Sequence, residues 1–145
     1  MTKVTVESLP NYTHAQLLTA PGMSLVADEP AGQEGDDLGP TPYDLLTWSL
    51  GACTAMTLQM YARRRGYALE HVSVDVEHER IHAKDCAECE QPREGRIEVF
   101  RRHITVSGNL SDEERADLLR VAARCPVHKT LSNAPEILDT IDVAG

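Results

Sequence analysis

The chain has 145 residues, a length that fits one domain of common size with a real hydrophobic core. Hydrophobic residues make up 41% of it and charged residues 26%, which is an ordinary globular composition. The formal net charge of −9 argues against nucleic acid or an anionic membrane as partner, because binding to either depends on neutralising phosphates.

The first residues, MTKVTVESLPNYTH, lack the apolar segment that a secretory signal needs. We therefore expect a cytoplasmic location, where cysteines are kept reduced. A pair among the four cysteines is then more often catalytic, redox-active or metal-binding than a structural disulfide.

The N-terminal part predicts a β-meander over residues 1–28, since short apolar runs alternate with turn signals. A loop from Asp28 to Pro42 follows, and its many acidic residues are most simply a solvated surface. Pro42 suits the first turn of a helix.

The stretch from Leu45 to Ala62 has no charged side chain and is apolar on nearly every face of a helix. It predicts a helix over 42–65, ending at Gly66 after three arginines that favour a helix C-terminus. Several polar residues argue against a membrane span, so we expect a buried helix that is covered in part by a second subunit.

Alternating apolar residues predict a β-hairpin over 69–107. In its second strand Ile97 is out of phase with Ile104, which predicts a bulge near Phe100–Arg102.

The C-terminal part, 111–143, predicts two helices and a strand. Ser111 and Glu114 form a capping-box signature that opens the first helix. Cys125-Pro126 ends that helix region and starts a shorter helix, and the apolar residues around Ile141 predict a closing strand. The element order indicates one α+β domain, 1–145, with antiparallel strands.

Two cysteines stand in contrasting surroundings. Cys53 lies mid-helix, where most free cysteines are simply small buried apolar residues. Cys125 directly precedes Pro126 at a predicted helix N-terminus, where backbone N–H groups favour a thiolate. Residue chemistry alone leaves open whether the two meet.

The other two cysteines, Cys86 and Cys89, form a C-x-x-C motif with three interpretations. In the first interpretation, it is half of a metal site that is completed by two of the three nearby histidines His78, His82 and His103. Alternatively it is a redox pair that passes electrons to the other cysteines, or a loop with two surface thiols.

Two segments of the chain, GPTPYDLLTWSLGACTAMTLQMYARRRG and RCPVHKTL, resemble the OsmC/Ohr family of thiol peroxidases. The resemblance is nearest to an OsmC branch with the motif CPVH-(K/R)-TL and extends from about Gly22 to the C-terminus. It implies an OsmC-like fold, with antiparallel sheets around a long buried central helix in an intertwined homodimer.

The resemblance also implies a mechanism for organic hydroperoxide reduction. A Cys53 thiolate attacks the O–O bond and becomes a sulfenic acid, which Cys125 converts to a disulfide. A dithiol reductant of the lipoyl type then reopens the disulfide. Neither a cofactor nor a metal is implied.

The sequence departs from the family pattern in the groups that ionise the reactive cysteine. In relatives these are an N-terminal arginine and a glutamate on the long helix. Here Lys3 is the only basic residue before Arg63 apart from histidines, and Tyr43 occupies the glutamate position, with Asp44 one residue later. We expect supporting roles for Asp44 and His128. The cation is left open among the following groups: His14, His128, Lys129 and an arginine of a partner subunit.

The missing cation favours an alternative function, a non-peroxidatic OsmC-fold protein that binds a small apolar ligand or senses thiol oxidation. A second alternative is a metal-binding module that uses Cys86 and Cys89.

Overall fold

The computed structural model describes residues 1–90 and 93–144, and this part of the chain forms a mixed α+β structure. In chain order the elements are β1 (Thr5–Ser8), β2 (Gln16–Ala20), β3 (Met23–Ala27), α1 (Pro42–Arg65), β4 (Ala68–His82), β5 (Arg96–Asn109), α2 (Asp112–Ala122) and α3 (Pro126–Ser132). Short 3₁₀ turns lie at Ala31–Gln33 and Ala83–Asp85.

The chain divides into two compact units, which are described separately. The first unit comprises Met1–Trp48 and Glu77–Phe100. The second unit comprises Ser49–Val76 and the chain from Arg101 onward. None of the helices in 1–90 and 93–144 combines the length and apolar character needed to cross a membrane.

In the first unit, β1, β2 and β3 form an antiparallel meander in which Leu18 pairs with Val6 on one side and Leu25 on the other. Gly22 makes the tight turn between β2 and β3 with a φ of 79°, a conformation that glycine adopts without steric cost. The structure thus contains the meander that the sequence predicts over residues 1–28.

The loop after β3 is organised by a buried aspartate. Asp28 is 2% exposed, and its carboxylate accepts N–H groups from Glu29 at 2.8 Å, Asp36 at 3.0 Å and Leu38 at 3.3 Å. Burial opposes its ionisation, but these backbone donors lower the pKa of Asp28 below its ordinary value. The expectation that all acidic residues of this loop are solvated is therefore wrong for Asp28.

Helix α1 has the bounds that its sequence predicts. Its start is capped by Thr41 and Asp44, because each side chain accepts the other's backbone N–H, at 3.2 and 2.9 Å. It ends at Gly66, whose φ is 71°. Only one face of α1 is buried in this chain, formed by Leu50, Gly51, Thr54, Leu58 and Ala62. If α1 is buried on every side, as its sequence predicts, its other faces must be covered by something outside this chain.

Strands β4 and β5 pair in a two-stranded sheet. The alternation of exposed and half-buried residues changes phase between Val99 and Arg102, where the sequence predicts a bulge. Near the end of β5, Gly108 has a φ of 129°, and a Cβ there would lie 1.9 Å from the carbonyl oxygen of Ala68. Only glycine fits this close approach.

The core of the second unit lies between α1, α2 and the strands around them. Its buried residues are Leu58, Ala62, Leu110, Leu118, Val121 and Ala122. At its edge the hydroxyls of Tyr61 and Tyr67 both donate to Asp117, at 2.7 and 2.8 Å. The predicted capping box of α2 is present at Ser111 and Glu114.

The predicted closing strand is wrong for this chain. No helix or strand follows α3 among the described residues up to 144. The apolar residues that suggested it are exposed, with Ile137 at 77% and Ile141 at 91%. A strand needs a neighbour to satisfy its backbone, and these residues have none within the described chain.

Candidate active site around Cys53 and Cys125

The second unit brings together the two cysteines that are far apart in sequence. Cys53 lies on the middle of α1 and is partly exposed, whereas Cys125 lies directly before α3 and is fully buried. Their side chains lie near enough for each thiol to affect the pKa of the other. The fold therefore brings the two thiols near each other.

Cys125 is held in place by the junction of α2 and α3. Its N–H donates to the carbonyl of Ala122 at 3.3 Å, and Pro126 follows as the first helical residue, where no backbone N–H is needed. The sulfur of Cys125 accepts the backbone N–H of His128 at 3.4 Å. The Cys-Pro sequence thus turns the thiol inward and gives it a backbone donor.

The two thiols differ in how readily they ionise. Burial and the hydrogen bond to Cys125 both raise the pKa of Cys53. Burial also opposes ionisation of Cys125, yet its pKa lies below the ordinary value, because hydrogen bonds from Cys53 and from the N–H of His128 outweigh that effect.

The cation of this site is Arg102 of the same chain, on β5. One guanidinium nitrogen donates to the hydroxyl of Thr54 at 2.9 Å and to the carbonyl of Ala122 at 3.1 Å. The other lies 2.8 Å from Nδ1 of His128. Burial lowers the pKa of Arg102, while the two cysteines act to raise it. Its positive charge therefore interacts with both thiols.

Sequence reasoning did not identify Arg102, although a signal was present. Arg102 is in phase with Ile104 and Val106, which face the core of the second unit. An arginine in phase with inward-facing residues of a strand needs a polar partner, because a buried charge is costly unless it is hydrogen bonded. Such a position is a candidate for a functional cation.

His128, predicted as a supporting residue, lies beside Arg102. Arginine can only donate hydrogen bonds, so Nδ1 of His128 must be the acceptor and its ring proton must lie on Nε2. Burial and the charge of Arg102 both lower the pKa of His128. The ring is therefore neutral in this contact.

The other groups considered from the sequence have different surroundings. The hydrogen bonds of Asp44 are those of the α1 cap, in the first unit. His14, also in the first unit, lies 4.0 Å from the carboxylate of Glu34. Lys129 is exposed on α3. The described contacts of Asp44 and His14 are thus with residues of the first unit.

Cys86 and Cys89 are joined by a disulfide, with their Cα atoms 5.5 Å apart. Of the histidines considered as further ligands, His78 stacks on Tyr43 and lies 2.7 Å from the carboxylate of Glu98. Within 1–90 and 93–144, no group of three or more His, Cys, Asp or Glu residues is arranged to hold a metal ion. Nothing in this part of the chain adds ligands to the C-x-x-C motif.

The chain also matches a known protein family. The family model described as OsmC-like protein matches residues 35–138. No curated protein sequence gives a significant match.

Several solved structures share the fold. An OsmC-like protein from Mycoplasma pneumoniae is similar with a TM-score of 0.71 and 17% identity, covering 92% of this chain and 89% of its own. An organic hydroperoxide resistance protein OsmC from Legionella pneumophila has a TM-score of 0.65 and 19% identity, covering 90% and 88%. An organic hydroperoxide resistance protein from Elizabethkingia anophelis has a TM-score of 0.67 and 16% identity, covering 92% and 89%.

Proposed function

The chain belongs to the OsmC-like protein family, and we propose that it is a thiol-dependent peroxidase that reduces organic hydroperoxides with Cys53 and Cys125. The observation that carries this proposal is the proximity of the two cysteine side chains in the second unit, where the charge of Arg102 acts on both. A thiol pair beside a cation has the chemistry that peroxide reduction requires.

The proposed cycle begins at Cys53, because this residue is partly exposed in the chain whereas Cys125 is fully buried. The Cys53 sulfur attacks the O–O bond of the hydroperoxide, and an S–O bond forms as the O–O bond breaks. The alkoxide leaves and takes up a proton as the alcohol, and Cys53 is oxidised to a sulfenic acid. The peroxide receives the two electrons that the sulfur loses.

Cys125 completes the oxidation. Its sulfur attacks the sulfenic sulfur of Cys53, and an S–S bond forms as the S–O bond breaks. The expelled hydroxide takes up the proton of the Cys125 thiol and leaves as water. A dithiol reductant, which we propose to be of the lipoyl type, returns both thiols by thiol–disulfide exchange. The names of the similar Legionella and Elizabethkingia proteins favour organic hydroperoxides as the substrate class.

Arg102 weakens the case for a non-peroxidatic protein, although the pKa of Cys53 stays raised by burial and by Cys125. That alternative depended on a missing cation, and Arg102 contributes one beside both thiols. Thiols that lie near a positive charge ionise more readily than thiols in an apolar core. Peroxidase activity is therefore the function that this site favours.

The test is consumption of cumene hydroperoxide by the reduced protein with dihydrolipoamide as reductant. We expect turnover in the wild type and none in Cys53→Ser. Cys125→Ser should form a sulfenic acid on Cys53, detectable with dimedone, without forming the internal disulfide. The double variant Cys86→Ser/Cys89→Ser should retain turnover. Equal turnover in the wild type and Cys53→Ser would refute the proposal.

We also propose that the protein is a homodimer. Large apolar side chains on the outer face of α1 are exposed in the single chain, with Trp48 and Met56 both at 61%. Contiguous exposed apolar surface is typical of an interface between subunits. We expect a mass in solution of twice the 16.0 kDa of one chain. Met56→Lys should shift the protein to monomer, and a wild type that is monomeric at all concentrations would refute the proposal.

A further inference from the structure

Arg102 of β5 forms hydrogen bonds with all three helices that meet in the second unit. Its guanidinium donates to the Thr54 hydroxyl of α1 at 2.9 Å and to the carbonyl of Ala122, the last residue of α2, at 3.1 Å. Its second terminal nitrogen lies 2.8 Å from Nδ1 of His128 on α3. A planar guanidinium is rigid, so acceptors at both of its ends are held at fixed positions relative to one another. One side chain thus connects α1 to the junction of α2 and α3.

The two acceptors at that junction also hold Cys125. The carbonyl of Ala122 accepts the backbone N–H of Cys125 at 3.3 Å in addition to the N–H of Arg102. A carbonyl oxygen has two lone pairs and can accept both. His128, whose ring accepts from the guanidinium, donates its backbone N–H to the sulfur of Cys125 at 3.4 Å. These two hydrogen bonds of Cys125 therefore involve residues that Arg102 also holds.

The acceptor on α1 is the residue that directly follows Cys53. Thr54 is fully buried, and its hydroxyl donates its one proton to the carbonyl of Leu50 at 2.7 Å. Its oxygen is then left to accept from Arg102. The Thr54 hydroxyl thus has a fixed partner in each direction. Through Arg102 it links the turn of α1 that carries Cys53 to the segment that carries Cys125.

We propose that Arg102 is a positioning residue that holds Cys125 at the place where its sulfur forms the disulfide with Cys53. This inference rests on the proposed function, in which Cys125 attacks the sulfenic sulfur of Cys53. The role depends on the shape of the guanidinium and on its hydrogen bonds, not on its charge alone. A reaction between two groups of one molecule is favoured when they are already held in place, because little further ordering is needed.

The test measures how favourable the disulfide is, and it needs no peroxide. Reduced protein is equilibrated with mixtures of oxidised and reduced dithiothreitol. Cys53 and Cys125 lose two electrons and two protons as their S–S bond forms, and oxidised dithiothreitol takes up both as its own S–S bond breaks. The protein also carries Cys86→Ser and Cys89→Ser, so that one disulfide is measured. Alkylation of the remaining thiols, followed by mass spectrometry, gives the equilibrium constant.

Substitutions of Arg102 separate the hydrogen bonds from the charge. Arg102→Met should lower the equilibrium constant for disulfide formation about tenfold or more. Arg102→Lys keeps the charge but replaces the planar fork with a single ammonium, so it should recover little of this loss. The control is Lys129→Met, which removes an exposed charge of α3 and should keep the wild-type value. An unchanged constant in Arg102→Met, or recovery of most of the loss in Arg102→Lys, would overturn the proposal.

A matched pair of variants at His128 keeps the test decisive if substitutions at Arg102 prevent folding. His128→Asn retains an acceptor for the guanidinium, whereas His128→Leu removes it. Both variants keep the backbone N–H that donates to the Cys125 sulfur. We expect His128→Leu to lower the equilibrium constant several-fold relative to His128→Asn. Equal constants in the two variants would contradict the positioning role.

The outcomes distinguish this inference from the proposed function. If Arg102→Met weakens the disulfide but the wild type consumes no peroxide, the peroxidase proposal fails and the positioning of the disulfide stands. If peroxide is consumed while the equilibrium constant is the same in the wild type and Arg102→Met, the enzyme stands and this inference fails. In an active enzyme, Arg102→Met should also lengthen the lifetime of the Cys53 sulfenic acid, measured as a larger yield of the dimedone adduct.

Discussion

The guanidinium of Arg102 donates a hydrogen bond to the hydroxyl of Thr54 over 2.9 Å, in the buried part of the second unit. This contact joins a residue of β5 to a residue of α1, next to Cys53 in the sequence. A half-buried charge is tolerated in a protein only where its donors find acceptors. Thr54 therefore helps to hold the guanidinium of Arg102 in the site.

Thr54→Val should destabilise the protein while keeping the shape of the side chain. The variant loses the acceptor for Arg102, and a buried donor without its partner costs about 1 to 3 kcal/mol. Urea unfolding of the reduced protein measures the loss. The control is Thr47→Val on the same helix, whose hydroxyl donates to the carbonyl of Asp44 and has no part in the site. Equal losses in both variants would contradict the prediction.

His128 should make the stability of the protein depend on pH. Its pKa is lowered in the folded state, so below the ordinary histidine value of about 6.5 the unfolded chain binds a proton that the folded chain does not. Stability should therefore fall as the pH is lowered from about 7 through 6.5, and the fall should level off below the folded pKa.

The substitution His128→Asn isolates this effect. Asparagine can present its carbonyl oxygen to Arg102 where Nδ1 lies, but it does not titrate. We expect a smaller loss of stability between pH 7.5 and pH 5 than in the wild type, measured by urea unfolding at both values. His103→Asn, at an exposed position of β5, should keep the wild-type dependence. The prediction fails if the two variants respond to pH alike.

Gly108→Ala should prevent the close approach of β5 to Ala68. The new Cβ would lie 1.9 Å from a carbonyl oxygen, and the φ of 129° is strained for any other residue. We expect a loss of about 3 kcal/mol or more, or failure to fold. Gly66→Ala is the control, since a Cβ there meets nothing within 4 Å and only its φ of 71° is unfavourable. It should cost about 1 to 2 kcal/mol. A smaller loss at Gly108 than at Gly66 would refute this.

Local patterns predict much of the fold because the interactions behind them are local. Pro42 and the arginines before Gly66 give the bounds of α1, and Ser111 with Glu114 gives the start of α2. The phase change in β5 also follows from the spacing of its apolar residues. These signals act over a few residues, so no knowledge of the tertiary structure is needed to detect them.

The features that the sequence did not predict depend on contacts between distant parts of the chain. The apolar residues around Ile141 have the pattern of a strand but no partner in the described chain, so the pattern alone misleads. The sequence left the cation open among His14, His128, Lys129 and an arginine of a partner subunit. The charge near both thiols is instead that of Arg102. Pairing Cys53 with Cys125 required the family resemblance, because nothing local indicates that α1 and the start of α3 meet.

The unequal exposure of the two sulfurs determines how an oxidised pair would be reopened. A reducing thiolate must approach a sulfur in line with the S–S bond, and of the two only Cys53 is open to solvent. The mixed disulfide would then form on Cys53, with Cys125 as the leaving group, and a thiol of low pKa departs faster. The reductant would thus need to reach only Cys53, and Cys125 would not have to become exposed.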